Sequence, residues 1–178
     1  LAPNGVQTKQ FADYDTTGDN NDGAFLGFKR YEENGEWVFF DEIGPGCLYR
    51  LQMNVFFGWS KLAVDRVRVR MYFDDDKTPR LDQTLAEFYG KDQKFTDPFT
   101  PPLAYFSQRG NTYAILYYPF AFQKRLKITV YDPEGLDPAL GACWYQHTYV
   151  KFPAGTPVES WQGLHVDSKS LRSQWEHL

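Results

Sequence analysis

The sequence predicts an all-β fold, an antiparallel jelly roll or β-sandwich with one or two short helices. Two observations carry that expectation. Apolar and polar residues alternate with a period of two through several separate runs, and turn residues rather than helical segments divide those runs. Strict alternation turns one set of side chains toward a core and the other away from it. No strand–helix–strand unit repeats, so the sheets are expected to be antiparallel.

Taken in order, a strand is expected over Trp37–Glu42, entered through Asn34-Gly35, a pair that readily takes the positive φ of a tight hairpin. Gly44-Pro45-Gly46 should stop pairing, because proline lacks an amide donor. From Cys47 to Phe57, one face carries Cys47, Tyr49, Leu51, Met53, Val55 and Phe57, and the other Leu48, Arg50, Gln52, Asn54 and Phe56. The next run is cleaner, with Val67, Val69, Met71 and Phe73 opposed to Arg66, Arg68, Arg70 and Tyr72. A helix is expected over Pro79–Tyr89, with Thr78 as N-cap, Pro79 in the first position and Gly90 at the end. Strands follow at Asn111–Tyr118 and Lys124–Tyr131, the latter with Leu126, Ile128 and Val130 inward and Arg125, Lys127 and Thr129 outward. Asp132-Pro133-Glu134-Gly135 is a turn, Cys143–Phe152 a last strand, and Ser168–His177 a weakly helical stretch within a C-terminal extension of about 160–178.

A chain of 178 residues is expected to form one domain over residues 1–178, with a core large enough to need no metal or disulfide staple. Aromatic residues make up 18% of it, which suits pleated half-buried surfaces and the lining of sugar sites, and argues against disorder. The formal net charge of −4 opposes nucleic-acid binding. Arg66, Arg68 and Arg70 read as the solvent or partner face of one strand rather than as a phosphate site. Cys47 and Cys143 lie in apolar alternating runs and are expected to be buried free thiols. No apolar run reaches the roughly 18 residues of a membrane span. The chain opens Leu1-Ala2-Pro3 without methionine, which leaves room for a removed leader and favours a secreted or periplasmic expectation.

Chemistry is harder to place. There is no Gly-x-Ser-x-Gly elbow, phosphate-binding glycine loop or His-Glu-x-x-His pair, and His147, His165 and His177 are scattered. His147, inside a strand, reads as a structural or surface residue. The distinctive segment is Asp13-Tyr14-Asp15-Thr16-Thr17-Gly18-Asp19-Asn20-Asn21-Asp22-Gly23. It begins like a calcium loop, yet its twelfth position is Ala24 where an EF-hand needs a bidentate Glu, so only a different calcium site stays open. The competing reading is a solvated loop held by its own Asx turns. Glycoside hydrolysis needs a pair of carboxylates, and Asp13, Asp15, Asp19, Asp22, Glu42 and Glu87 are candidates with no separations to choose among them.

Six segments together resemble glycoside hydrolase family 172, formerly a domain of unknown function. Asp13–Asp22 is similar to that family's Ser-Tyr-Asp-Arg-x-Gly-Gly-Asn-x-Asp loop, and Gly44-Pro45-Gly46-Cys47-Leu48-Tyr49-Arg50 to its Gly-Pro-Gly-Cys-x-x-Arg strand entry. Tyr72–Pro79 resembles its Asp-Gly-x-x-x-Pro turn, and Leu85-Ala86-Glu87-Phe88-Tyr89-Gly90 its Asp-Phe-Phe-Gly helix end. Tyr118-Pro119-Phe120-Ala121-Phe122 is similar to Tyr-x-Pro-Met-Pro-Phe, and Trp144–Tyr149 to a Tyr-Tyr-Gln-x-x-Tyr strand. The segments keep their order over residues 13 to 149.

The resemblance implies a jelly roll that assembles into trimers or larger oligomers and acts on furanosides, as an α-fructofuranosidase or relative. It also implies that a catalytic glutamate pair lies in a second jelly roll, outside this chain, so whether the chain is itself an enzyme stays open. Tyr14, Asp15, Asn20 and Asp22 are the expected glycan-binding residues, because carboxylates and amides pair with vicinal hydroxyls and aromatic faces stack on sugar rings. No cofactor is expected beyond calcium at the Asp13–Asp22 loop. Thr16 and Asp19 stand where the family motif has Arg and Gly, and Ala121 stands where its later turn has Pro, so the ligand contacts are expected to differ. Two other readings remain beside this one: a non-catalytic jelly roll that self-assembles into a shell or fibre, and a calcium-dependent adhesion module.

Overall fold

A computed structural model describes residues 4–15, 17–19, 31–54, 65–90, 97–106, 113–135, 144–164, 169 and 173. The described elements are β1 (Gln7–Ala12), β2 (Tyr31–Glu33), β3 (Glu36–Ile43), β4 (Gly46–Asn54), β5 (Arg68–Phe73) and β6 (Leu81–Thr84). They continue with α1 (Leu85–Tyr89), β7 (Ala104–Phe106), β8 (Tyr113–Leu116), β9 (Phe120–Phe122), β10 (Arg125–Tyr131) and β11 (Trp144–Lys151). They form two antiparallel sheets, a β-sandwich of the expected class. One runs β1-β11-β4-β8-β7, with β9 also paired to β4; the other runs β2-β3-β10-β5-β6. The chain crosses between the sheets repeatedly, among other places at Gly44-Pro45 and between β9 and β10, so central neighbours such as β4 with β11 and β3 with β10 are distant in sequence.

The core lies between the sheets. Leu51, Met53, Leu116, Phe120 and Phe122 from one meet Phe40, Val69, Met71, Phe73, Leu126, Ile128 and Val130 from the other, all fully buried. Aromatic edges cross the layers, Phe40 standing at 88° to Tyr149 with ring centroids 5.4 Å apart. β5 shows the expected alternation without exception, with Val69, Met71 and Phe73 inside.

Several expectations need correction. The alternation of β4 breaks at Tyr49: Thr148 pairs with Arg50 and Tyr149 with Leu48, so Tyr49 is the extra residue of a β-bulge. Leu48 therefore joins Leu51 and Met53 in the core, while Cys47 is half-buried on the opposite side. A second bulge inserts Phe39 opposite the Ile128–Thr129 step, so Phe39 and Phe40 are both buried. Thr129, expected outward, is covered because its hydroxyl donates to Glu36. The helix starts later than expected. Leu81–Thr84 pairs with β5, and Thr84 rather than Thr78 caps α1. Thr84 and Glu87 form a reciprocal capping box, and Gly90 closes the helix in the left-handed conformation, as foreseen.

Asn34 and Gly35 both take positive φ and join β2 to β3 as a two-residue hairpin. In the C-terminal extension, Ser160–Leu164 is not helical; Trp161 packs on Phe73 and Phe120 and donates its indole N–H to the Tyr118 hydroxyl. Of the expected helix at 168–177 only Lys169 and Ser173 are described, both helical. Cys143, His165 and His177 lie outside the described residues.

Candidate functional site

The acidic segment leaves β1 along the edge of the six-stranded sheet. Asp13 prolongs the pairing of β1 with β11: its amide donates to the Tyr145 carbonyl at 3.3 Å, and the Tyr145 amide donates to Asp13 Oδ1 at 2.7 Å. The Asp13 carboxylate is thereby buried as a latch on the strand. Asp15 Oδ1 accepts from the amide of Thr17 at 2.8 Å and from its hydroxyl at 2.6 Å, the Asx turn of the solvated-loop reading. Tyr14 between them turns outward and is 59% exposed, which offers a ring face to a ligand. Asn20 and Asp22, the other two predicted binding residues, lie outside the described residues. Among the described residues, no three His, Cys, Asp or Glu side chains gather to hold a metal ion.

A groove of about 490 Å³ lies over the outer face of the five-stranded sheet. Its floor is Glu36, Tyr72, Arg125 and Lys127; its walls are the Glu33-Asn34 hairpin, the Asp74–Lys77 turn, Lys124 and Ile43. Period-two alternation places Tyr72 on β5 directly across from Lys127 on β10, both pointing away from the core. Lys127 sits 4.9 Å from the centroid of the Tyr72 ring and pairs with Glu33. Glu36 is 9% exposed and accepts from Arg70 Nη1 at 2.6 Å, from the Tyr72 hydroxyl at 2.9 Å, and from Thr129. Burial, then the hydrogen bond to Glu36 and its charge, push the Tyr72 pKa up to about 12. Arg125 holds Asp41 through two bonds of 2.7 Å, and Asp41 also accepts from Tyr31 at 2.6 Å.

At the rim, burial acts to raise the Asp74 pKa. Hydrogen bonds from Ser160 and from the Lys124 and Arg125 amides, with Arg80 nearby, more than offset it and hold the carboxyl below the ordinary range. Lys124 pairs with Asp75, and Arg80 with Asp76. Apart from the exposed Lys77, the charges of the groove are thus already paired.

Other expected residues fall into place singly. Arg66 pairs with Asp132 and Glu134, Arg68 with Asp82, and Arg70 with Glu36 and Asp82, so the arginine row is neutralised within its own sheet. Glu87 is spent on the helix cap and Glu42 lies 3.7 Å from Lys151. Asp19 is exposed. Cys47 is a free thiol, partly rather than fully buried, and burial pushes its pKa up to about 12, which leaves it unreactive. His147 is fully buried and stacks on Tyr145 at 5.0 Å, so it is structural. Glu36, Asp41 and Asp74 are residues that the sequence reading missed. Their signal was indirect: outward arginines and lysines at period two on β5 and β10 need counter-charges from a neighbouring strand or turn.

Compared with known families, the chain matches the model described as GH172 first beta-sandwich domain over residues 4–169. No curated protein sequence matches it.

Proposed function

The chain belongs to glycoside hydrolase family 172 as its first β-sandwich domain, and from that premise we propose that it is the glycan-recognition part of a furanoside-acting hydrolase. The match over residues 4–169 is the observation that carries this reading. Recognition runs through the loop after β1, where Tyr14 supplies an exposed ring and Asp15, Asn20 and Asp22 supply acceptors and donors for vicinal hydroxyls. Hydrolysis belongs to a glutamate pair outside this chain. In support, Asp13, Asp15, Glu42 and Glu87 each have a structural partner here.

Assembly with further copies is part of the same proposal. The outward side of the six-stranded sheet offers Cys47, Gln52, Ile115, Thr148 and Val150, with Arg50 as its charged member. The five-stranded sheet is instead laddered with ion pairs. Charge-poor surface is what the core of an interface favours. Sedimentation should show an oligomer at micromolar concentration; a monomer would remove this part. Calcium in the loop is a separate proposal, and an unchanged melting temperature between calcium and chelator would end it.

Calorimetry with neutral furanoside oligosaccharides tests the main reading. The isolated chain should bind one of them without turning it over, and Tyr14→Ala should weaken that binding. Turnover at full enzymatic rate by this chain alone would place the catalytic pair inside it and refute the division of labour.

A further inference from the structure

We propose that the groove on the outer face of the five-stranded sheet is a second saccharide site, separate from the Asp13–Asp22 loop and selective for uncharged polyhydroxylated ligands. The proposal rests on the glycan reading for the class of ligand, and on the groove's own geometry for everything else.

Size comes first. About 490 Å³ falls within the range of small-ligand clefts, roughly 300–1,000 Å³. Charge comes next. Glu33, Glu36, Asp74, Asp75 and Asp76 face Lys77, Lys124, Arg125 and Lys127, so five negative and four positive groups sum to −1. A phosphorylated or sulfated ligand would find Lys124, Arg125 and Lys127 already held by carboxylates, which leaves it, among the described residues, the exposed Lys77 at the wall as a single unpaired cation. Displacing those partners would cost about what the new pair returns. A neutral sugar needs no displacement. Each hydroxyl both donates and accepts, so a vicinal diol can bridge an ammonium and its adjacent carboxylate, as offered by Lys127 with Glu33 and Lys124 with Asp75.

The polar groups are also held in position. Glu36 is fixed by three donors, Arg125 by its two bonds to Asp41, and Asp74 by Ser160 and the Lys124 amide. A site of fixed dipoles loses little entropy when it binds. Finally, Ile43 at the end of β3 is 69% exposed on the rim of this polar cleft. Its apolar side chain matches the C–H face of a sugar ring, which a purely ionic site would not need.

The experiment uses the whole chain and two variants of exposed side chains, Ile43→Ser and Lys124→Gln, which leave the core untouched. The probes are a neutral fructofuranosyl trisaccharide and its sulfated counterpart, followed by NMR shift mapping and calorimetry. The neutral trisaccharide is expected to shift the amides of Asn34, Tyr72 and Asp74–Lys77. The double variant should bind it about tenfold more weakly at that site, whereas Tyr14→Ala leaves the same shifts intact. Binding that disappears in Tyr14→Ala and is unaffected by the double variant would overturn the groove and leave the loop reading standing. Tighter binding of the sulfated probe would overturn the neutral selectivity. Binding of neither probe at either site would overturn the groove and the glycan reading together.

Discussion

His147 should make the protein acid-sensitive by a calculable amount. The side chain is wholly buried among Phe39, Phe40 and Tyr145, and neither ring nitrogen has a hydrogen-bond partner of normal geometry. Burial pushes its pKa from 6.5 down to about 3; the backbone of Gln146 pulls the other way, and the Arg50 charge adds to the depression. The folded state therefore refuses a proton that the unfolded chain accepts below pH 6.5. Stability from this group is complete above that pH and is lost as pH falls toward 3. With those two values, the loss between pH 7.5 and pH 5 is about 2 kcal/mol, at roughly 1.4 kcal/mol per unit. Denaturant unfolding of the wild type and of His147→Phe at both pH values isolates it. Whatever the absolute stability of the variant, its drop should be smaller than that of the wild type by about 2 kcal/mol. Equal drops would show that His147 is not held neutral by its burial.

Four further outcomes rest on local geometry. A Cβ on Gly46 would come within 2.7 Å of the Phe122 ring and 2.8 Å of the Val150 carbonyl oxygen. Gly46→Ala should accordingly cost about 1–3 kcal/mol, more than Gly35→Ala, where nothing crowds and only the positive φ is strained; unfolding midpoints rank the two. Thr84→Ala should cost about 1 kcal/mol by removing the α1 cap, and an equal loss in Thr78→Ala would contradict the assigned helix start. Asp13→Ala should destabilise by about 1–3 kcal/mol, because it strips the Tyr145 amide of its acceptor. Tyr14→Ala should leave the midpoint unchanged and reduce glycan binding in the same preparation.

Local features were legible wherever one interaction decides them. The Asn34-Gly35 hairpin needs only two residues that tolerate positive φ, and both take it. The β5 alternation needs only a pleat, and it is uninterrupted. What failed depended on partners. Thr78-Pro79 resembles a helix start as closely as Thr84-Leu85 does, and pairing of Leu81–Thr84 with β5 decides between them. The short strands β1, β6, β7 and β9 have weak patterns of their own and exist because a longer strand offers them an edge.

The acidic loop shows the same division. Its composition announced a special segment, but composition does not separate a carboxylate that faces a ligand from one that latches a strand. Asp13 does the latter because β11, some 130 residues away, brings the Tyr145 amide to it.

By itself, then, the sequence determined the class of fold, the arginine face of β5, the hairpin at Asn34-Gly35 and the family, because each rests on residue type at fixed short spacing. Tertiary structure alone decided the bulges at Tyr49 and Phe39, the buried role of Asp13, and the groove. The groove draws on the β2–β3 hairpin, β5, the turn after it and β10. Those segments meet only because antiparallel pairing across the sheet sets their register, and register is a property of partners rather than of any one strand.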